Sequence, residues 1–456
     1  MSVSDASAAS QAPPQARDGL PEASVADGLR IVTTGLLPSL VRGLFSPRPA
    51  AMKLLTASGA DRRTVETLLD IRRKHGGQGV RLLGGRMVVL WGPEAIREVL
   101  DQSADVYASD SGAKGKGMSH FQPDALTISR GDAWRDRRAF NEYVLVTSER
   151  IHPAAERFLA VIADEVDRLA LGDRLEWAHW ERLFDRVTLR VIFGDGSGDD
   201  QALTRLLEKL MGEANRLAGL GESDDYFEFY GRLEKKLVEP EPGSLLSRVN
   251  EAPQSDRTRI AHQIPHWMFA TRDTLGANAY RALGVIAADP AVERRVREEL
   301  EGNDLSDPQA VDGLRYLEGC LQETMRLWPT VPLLARETTR ETTLAGERLD
   351  EGTQVMILNV FNHRDPERVP NADRLDPERW MNGPGDYRFN HLSNGTQDCP
   401  GGSLVLLLGK AVLARMLDTY APTLEQPSLE PGEDLPHMLD FFEMRFEARR
   451  RERHPA

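Results

Sequence analysis

Cys399 stands in Leu392-Ser-Asn-Gly-Thr-Gln-Asp-Cys399-Pro-Gly-Gly402, directly ahead of the largely apolar run from Ser403 to Leu417. Gly395, four residues before the cysteine, and Gly401, two after it, let the backbone wrap closely around one sulfur. Pro400 suits the first turn of a following helix. Such a helix aims its positive end and the amides of Gly401 and Gly402 at the sulfur, which favours the thiolate that a metal needs. Taken alone, the loop is equally compatible with a buried structural cysteine beside a glycine-rich turn. The paired spacing that marks zinc is missing around Cys399 and Cys320, the only two cysteines. No neighbouring histidine nominates a cysteine nucleophile. A single thiolate ligand suits haem iron best.

Two further constellations carry chemistry. Glu323-Thr-Met-Arg326 sets an acid and a base three apart, on one face of a helix expected to begin near Asp312. The neighbouring residues on that face are apolar. The pair is therefore expected to be buried and to need a third member, for which Arg379 of Asp376-Pro-Glu-Arg-Trp380 is the candidate. The same spacing also occurs in ordinary surface ion pairs. Farther upstream, Ala270-Thr-Arg-Asp273-Thr274 lies in a long helical stretch that runs to about Ala288, ahead of Asp289-Pro290. On spacing alone, Asp273 and Thr274 also fit a solvated helix face with a threonine bonded back to its own helix.

The elements that must hold these residues read as follows. A helix is expected over 61–75, strands near 80–83 and 86–90, and a helix from Pro93, while 112–126 is less regular. Gly194 to Asp200 and Glu222 to Asp225 are acidic, glycine-containing breaks between helical segments. Residues 1–27, rich in Ala, Ser, Pro and Gln, are expected to be disordered and lack the pattern of a secretory signal. Gly35 to Phe45 is too short and interrupted to span a bilayer and is expected to pack on the body, so no stable membrane anchor is expected. The basic tail from Arg445 to His454 is read as solvated. With 57 basic and 71 acidic side chains the net charge is -14, which argues against nucleic-acid binding. Two cysteines exclude disulfide stapling and suit a cytoplasmic protein.

Glu-x-x-Arg, then Pro-Glu-Arg-Trp, then Gly-x-x-x-Cys-x-Gly, in this order in the last third of the chain, resembles the cytochrome P450 superfamily of haem-thiolate enzymes, of the soluble, bacterial-like type. Trp134 and Arg138 match its Trp-x-x-x-Arg, Arg336 falls where a propionate-binding arginine follows the Glu-x-x-Arg helix, and Asn362-His-Arg-Asp-Pro366 resembles its Asn-x-Arg-Asp-Pro. The resemblance covers roughly residues 60 to 450. It implies a mainly α fold with a small β region and one catalytic domain over 28–450. Haem b (iron protoporphyrin IX) would lie between the central long helix and the helix after Cys399.

The resemblance also implies roles. Cys399 would ligate iron. Trp134, Arg138, Arg336, Gln397 and Gly401 would hold the cofactor, and Asp273 with Thr274 would deliver protons to dioxygen. Glu323, Arg326 and Arg379 would form a structural network. Met118, Phe121, Phe269, Ala270, Val331, Leu334, Phe441 and Phe442 would line a pocket for a small, largely hydrophobic substrate, and 194–200 with 222–225 would match the mobile lid. His120 is a candidate to approach a propionate or the substrate. Two positions depart from the pattern: Leu392 replaces the usual Phe, and Gln397 replaces the usual Arg or His. Gln397 supplies no charge, so Arg138 and Arg336 must neutralise more of the cofactor.

The implied activity is a monooxygenase, in secondary metabolism. No reductase domain is recognisable, so ferredoxin and ferredoxin reductase are the expected electron donors, docking on a basic patch of Arg135, Arg137 and Lys410. A hydrogen-peroxide-driven peroxygenase is the alternative, for which Arg272 could hold a carboxylate substrate. A non-enzymatic haem sensor is the reading from another class.

Overall fold

Helices build most of the interior. Gly402–Thr419 is covered on nearly every face, and its Leu407, Leu408, Val412, Leu413 and Met416 are almost fully buried. Ala155–Asp167, Arg315–Leu327 and a broken helical span pack against it. That span comprises Ile264–Phe269, the π-helical Ala270–Leu275 and Gly276–Ala288. A Cβ at Gly409 would stand 2.5 Å from Leu321 and 3.0 Å from Leu275, so glycine lets these three helices cross closely. The computed structural model describes residues 19–43, 45–110, 112–216, 220–381 and 386–451.

The β region is small. A five-stranded sheet runs in the order Gly79–Leu82, Met87–Leu90, Gln354–Leu358, Leu333–Thr338, Tyr107–Ala108. Its second and third strands are parallel and its other neighbours antiparallel. Pairing of Ala108 with Glu337 brings the approach to the next helix alongside Arg336. Arg174–Glu176, Arg445–Arg450 and Tyr420–Gln426 form a three-stranded sheet. The mainly α class with a small β region is thus the one expected.

Several local expectations change. Residues 112–121 form a helix, because Met118 and Phe121 bury one face and Gly117 lies against Phe45; tertiary contact overrides the glycine content. The Glu-x-x-Arg helix starts at Arg315, after a separate short helix Pro308–Asp312. Glu299 accepts hydrogen bonds from the Tyr316 and Leu317 amides there, at 2.7 and 2.9 Å. The tail expected to be solvated is partly a strand: Phe446 and Ala448 point inward while their neighbours are more exposed. The break at 194–200 is held down, because Arg190 bonds Asp195 and Glu241 accepts from the amides of Asp195 and Gly196.

Most of the segment 1–27 lies outside the described residues. Its described part is bound to the body: Leu20 is fully buried, Glu22 bridges Arg81, and Ser24 caps Val25–Ile31. Among the described residues no helix is long and apolar enough to cross a membrane.

Candidate functional site

The cysteine loop is shaped by its glycines and fastened from three sides. Gly395 has φ +70°, and a Cβ there would stand 2.3 Å from the Leu100 carbonyl oxygen, so both backbone angle and contact call for glycine. Thr396 Oγ1 donates to the Ser103 carbonyl at 2.9 Å. Thr147 Oγ1 donates to the Pro400 carbonyl at 2.5 Å, and the Cys399 amide donates to Leu392 O at 2.9 Å. Gly401 is the N-cap of Gly402–Thr419, which places the helix start beside the sulfur.

Burial pushes the Cys399 thiol above its ordinary value and Asp398 adds to this, while the Gly401 amide and Arg138 oppose it. The Gly401 amide and Arg138 thus favour the thiolate, while desolvation of the sulfur opposes it. Ionisation must accompany metal binding, with release of the proton.

Above Gly409, the broken span presents Asp273 and Thr274, both half-buried, within its π-helical turn. Such turns recur where a helix carries function. Asp273 Oδ1 accepts from Arg272 Nη1 at 2.9 Å, and Oδ2 is buried without a hydrogen-bond partner. Arg272 is also bonded to Asp185, and Glu208 and Glu181 lie 3.3 and 3.5 Å from its Nη2. Four carboxylates thus share one guanidinium. Burial pushes Asp273 from 3.8 up to about 6, Arg272 pulls it down, and the other three acids push it further up. Its charge is thus already shared among four carboxylates of the protein, which weakens the case for its holding a substrate carboxylate.

This placement has a measurable consequence. The folded state holds the Asp273 proton more tightly than the unfolded chain does, so the ionised carboxyl costs stability above pH 6 and nothing well below pH 4. Asp273→Asn should therefore stabilise the protein by about 2 to 3 kcal/mol near neutrality. The gain should shrink to zero as pH falls from 6 through 4, as read by denaturant unfolding at each pH. A variant no more stable than wild type at pH 7 would contradict the charge assignment.

The cations expected at the cofactor behave differently from one another. Trp134 and Arg138 share a face of Gly131–Leu145. Arg138 Nε donates to Glu142, while its other nitrogens donate to the Asp398 carbonyl at 2.7 Å and the Asp398 carboxylate, so its charge is already compensated. Arg336 is 3% exposed and its bonds go to Ser103 Oγ and Ala335 O, neither of them anionic. Burial lowers it to about 10. Both polar atoms of the Gln397 amide are buried without partners. His120, a candidate to approach cofactor or substrate, is tied to Glu213 at 3.0 Å and to the Gly221 amide, the plain hydrogen-bonded role more usual for a lone histidine.

The pocket candidates fall into groups. Phe121 and Phe269 meet edge to face at 6.1 Å, with Met118 buried on the same helix as Phe121 and Ala270 half-buried next to Phe269. Leu334 is half-buried and Val331 keeps 43% of its surface. Phe441 and Phe442 belong to another cluster, tilted against each other with ring centres 4.2 Å apart and both touching Trp177, with Arg281 over Phe441.

Beneath the cysteine loop, Glu323 and Arg326 are both fully buried, with Nε and Nη2 each 2.7 Å from the carboxylate. Arg379 Nε reaches Glu323 at 3.0 Å. The structure adds two members that the sequence reading missed, although both sit inside quoted motifs. Trp380 Nε1 donates to Glu323, and His363 couples the Arg326 carbonyl to the Asn390 amide at the entrance of the cysteine loop.

The basic patch does not form. Lys410 is 1% exposed and held by Glu318 at 2.8 Å, and Arg137 is buried on Asp124, Ser129 and the Arg257 carbonyl. Only Arg135 is exposed, and it pairs with Asp132. In both corrections an acid distant in sequence, Glu318 or Asp124, holds the cation inside, which charge counting along the chain cannot show.

One thiol in a glycine-bounded loop, a buried arginine with no counter-charge and an amide with unsatisfied polar atoms fit an anionic cofactor ligated through sulfur. Fold and site together are those of a haem-thiolate protein. The cytochrome P450 family model matches residues 244–439. "Probable cytochrome P450 4d20" of Drosophila melanogaster is 31% identical over 207 residues, 43% of this chain and 39% of that protein. "Cytochrome P450 4V2" of Homo sapiens is 32% identical over 167 residues, covering 35% and 32%. "Germacrene A hydroxylase" of Saussurea costus is 23% identical over 404 residues, covering 77% and 81%. The chain therefore spans less than half the length of the first two relatives. It belongs to the cytochrome P450 family.

Proposed function

We propose that this protein is a haem-dependent monooxygenase that inserts one oxygen atom from dioxygen into a largely hydrophobic organic substrate in secondary metabolism. The observation that carries the reading is Asp273: a half-buried carboxyl with one buried, unpartnered oxygen, raised to about 6, beside a threonine in a π-helical turn. A group with that value can hold a proton and give it up near neutral pH. Bound at Cys399, haem supplies the activation of dioxygen.

The chain's own residues supply the rest. Asp273 holds and transfers the proton, Thr274 orients its acceptor, and the Phe121–Phe269 contact helps keep water from the substrate. Apolar walls select an apolar molecule. One relative is named a hydroxylase, which supports hydroxylation as the outcome. Electrons from a ferredoxin and its reductase, and a cytoplasmic location, complete the reading; the two unpaired thiols suit that compartment.

Candidate substrates come from screening hydrophobic compounds for a shift of the oxidised Soret band. Product formation is then compared with the ferredoxin system, with peroxide alone and with neither. Turnover should require the donor and dioxygen. Thr274→Ala should leave substrate binding near wild type while diverting most reducing equivalents into hydrogen peroxide and water. Asp273→Asn should slow product formation by about 10²-fold. Unchanged coupling and rate in both variants, or faster turnover with peroxide alone than with the donor, would overturn the proposal in favour of the peroxygenase.

A further inference from the structure

The helix Gly112–Phe121 carries a half-buried charge, Lys114, that none of the interactions above explains. Lys114 Nζ donates to the Thr127 carbonyl at 3.2 Å, and among the described residues it makes no ion pair. Asp110 pulls on it through space, but that carboxylate is held by Arg130 Nε at 2.7 Å. A buried ammonium without a counter-charge is costly. Burial first, and Arg336 second, drive it down to about 7.

Lys114 and Arg336 share one neighbourhood. Strand Leu333–Thr338 carries Arg336 and pairs Glu337 with Ala108; the next residue, Ser109, donates to the same Thr127 carbonyl that Lys114 uses. Arg336 Nε donates to Ser103 Oγ at 2.9 Å, and the Ser103 carbonyl accepts from Thr396, the residue before Gln397. A half-buried ammonium, a buried guanidinium and an unsatisfied amide thus converge beside the cysteine loop. Arg138, the other cation expected there, is already compensated by Glu142 and Asp398.

We propose that Lys114, together with Arg336, binds a carboxylate of the haem and supplies the positive charge that Gln397 does not. The inference rests on the haem reading of the site. Ammonium and carboxylate form a charge-assisted hydrogen bond, and each relieves the desolvation of the other. Lys114 is thus assigned to holding the cofactor.

The test follows haem transfer to excess apomyoglobin from wild type, Lys114→Gln, Lys114→Arg and the double variant Lys114→Gln/Gln397→Arg. The reduced carbon-monoxide spectrum is recorded for each. Lys114→Gln should lose haem about tenfold faster or more, the value of one charge-assisted bond. Lys114→Arg and the double variant should retain haem near the wild-type rate, even if Lys114→Gln alone fails to accumulate as holoprotein. The thiolate-type band should persist wherever haem is bound.

Unchanged loss from Lys114→Gln would overturn the proposal. So would that result combined with weakened binding of dodecanoate, which would assign Lys114 to a substrate carboxylate. Faster loss that neither arginine variant corrects would also overturn it. A wild type lacking the thiolate band would bring down the haem-thiolate reading itself, a failure distinct from wild-type ligation with unchanged haem loss.

Discussion

Arg326→Ala should lower the unfolding free energy by about 3 to 5 kcal/mol and leave most of the protein without haem. Arg326 and Glu323 have no exposed surface, so the charge left behind has no access to water. The guanidinium also donates to the carbonyls of His363, Ala372 and Arg374, at 2.9, 2.8 and 2.9 Å, and truncation orphans all three. Arg379 and Trp380 remain on the carboxylate but cannot reproduce that geometry. The damage reaches the cofactor because His363 Nδ1 lies 3.1 Å from the Arg326 carbonyl while its Nε2 accepts from the Asn390 amide at 2.8 Å. Asn390 Oδ1 in turn accepts from Asn394, five residues before the cysteine. Thermal unfolding and haem content of the purified variant provide the check. Wild-type melting with full haem occupancy would show that the network is not what holds the loop.

Cys399→Ser should abolish turnover to the rate without protein, and any haem that remains should lack the thiolate signature. Serine preserves the size of the side chain and the backbone hydrogen bonds of residue 399 to Leu392 and Gly402, so the fold has no reason to change. A hydroxyl gives up its proton far less readily than a thiol and is a poorer ligand. Circular dichroism should therefore match wild type while activity is lost. Retained activity would remove Cys399 from the centre of the site.

Much of this was legible in the sequence because the relevant spacings are local. Gly395, Cys399 and Gly401 declare a tight loop, Glu323 and Arg326 share a helix face, and the stretch ending at Asp289-Pro290 reads as helix. What was not legible depends on partners distant in sequence. Lys410 and Arg137 looked like surface charge, and only the positions of Glu318 and Asp124 show them to be internal. The helix 112–121 is glycine-rich and gains its stability from packing against Phe45 and Phe269. The carboxylates around Arg272 come from two other helices with no shared motif. The sequence reading also left out desolvation of the cysteine sulfur, which opposes the effect of the Gly401 amide.

The most direct test of a haem held by Cys399 is the absorption spectrum of the wild-type protein, reduced and exposed to carbon monoxide. The account predicts the red-shifted Soret band of thiolate-ligated haem, present in wild type and lost in Cys399→Ser. A fully haem-loaded wild type with the band position of histidine ligation would contradict it.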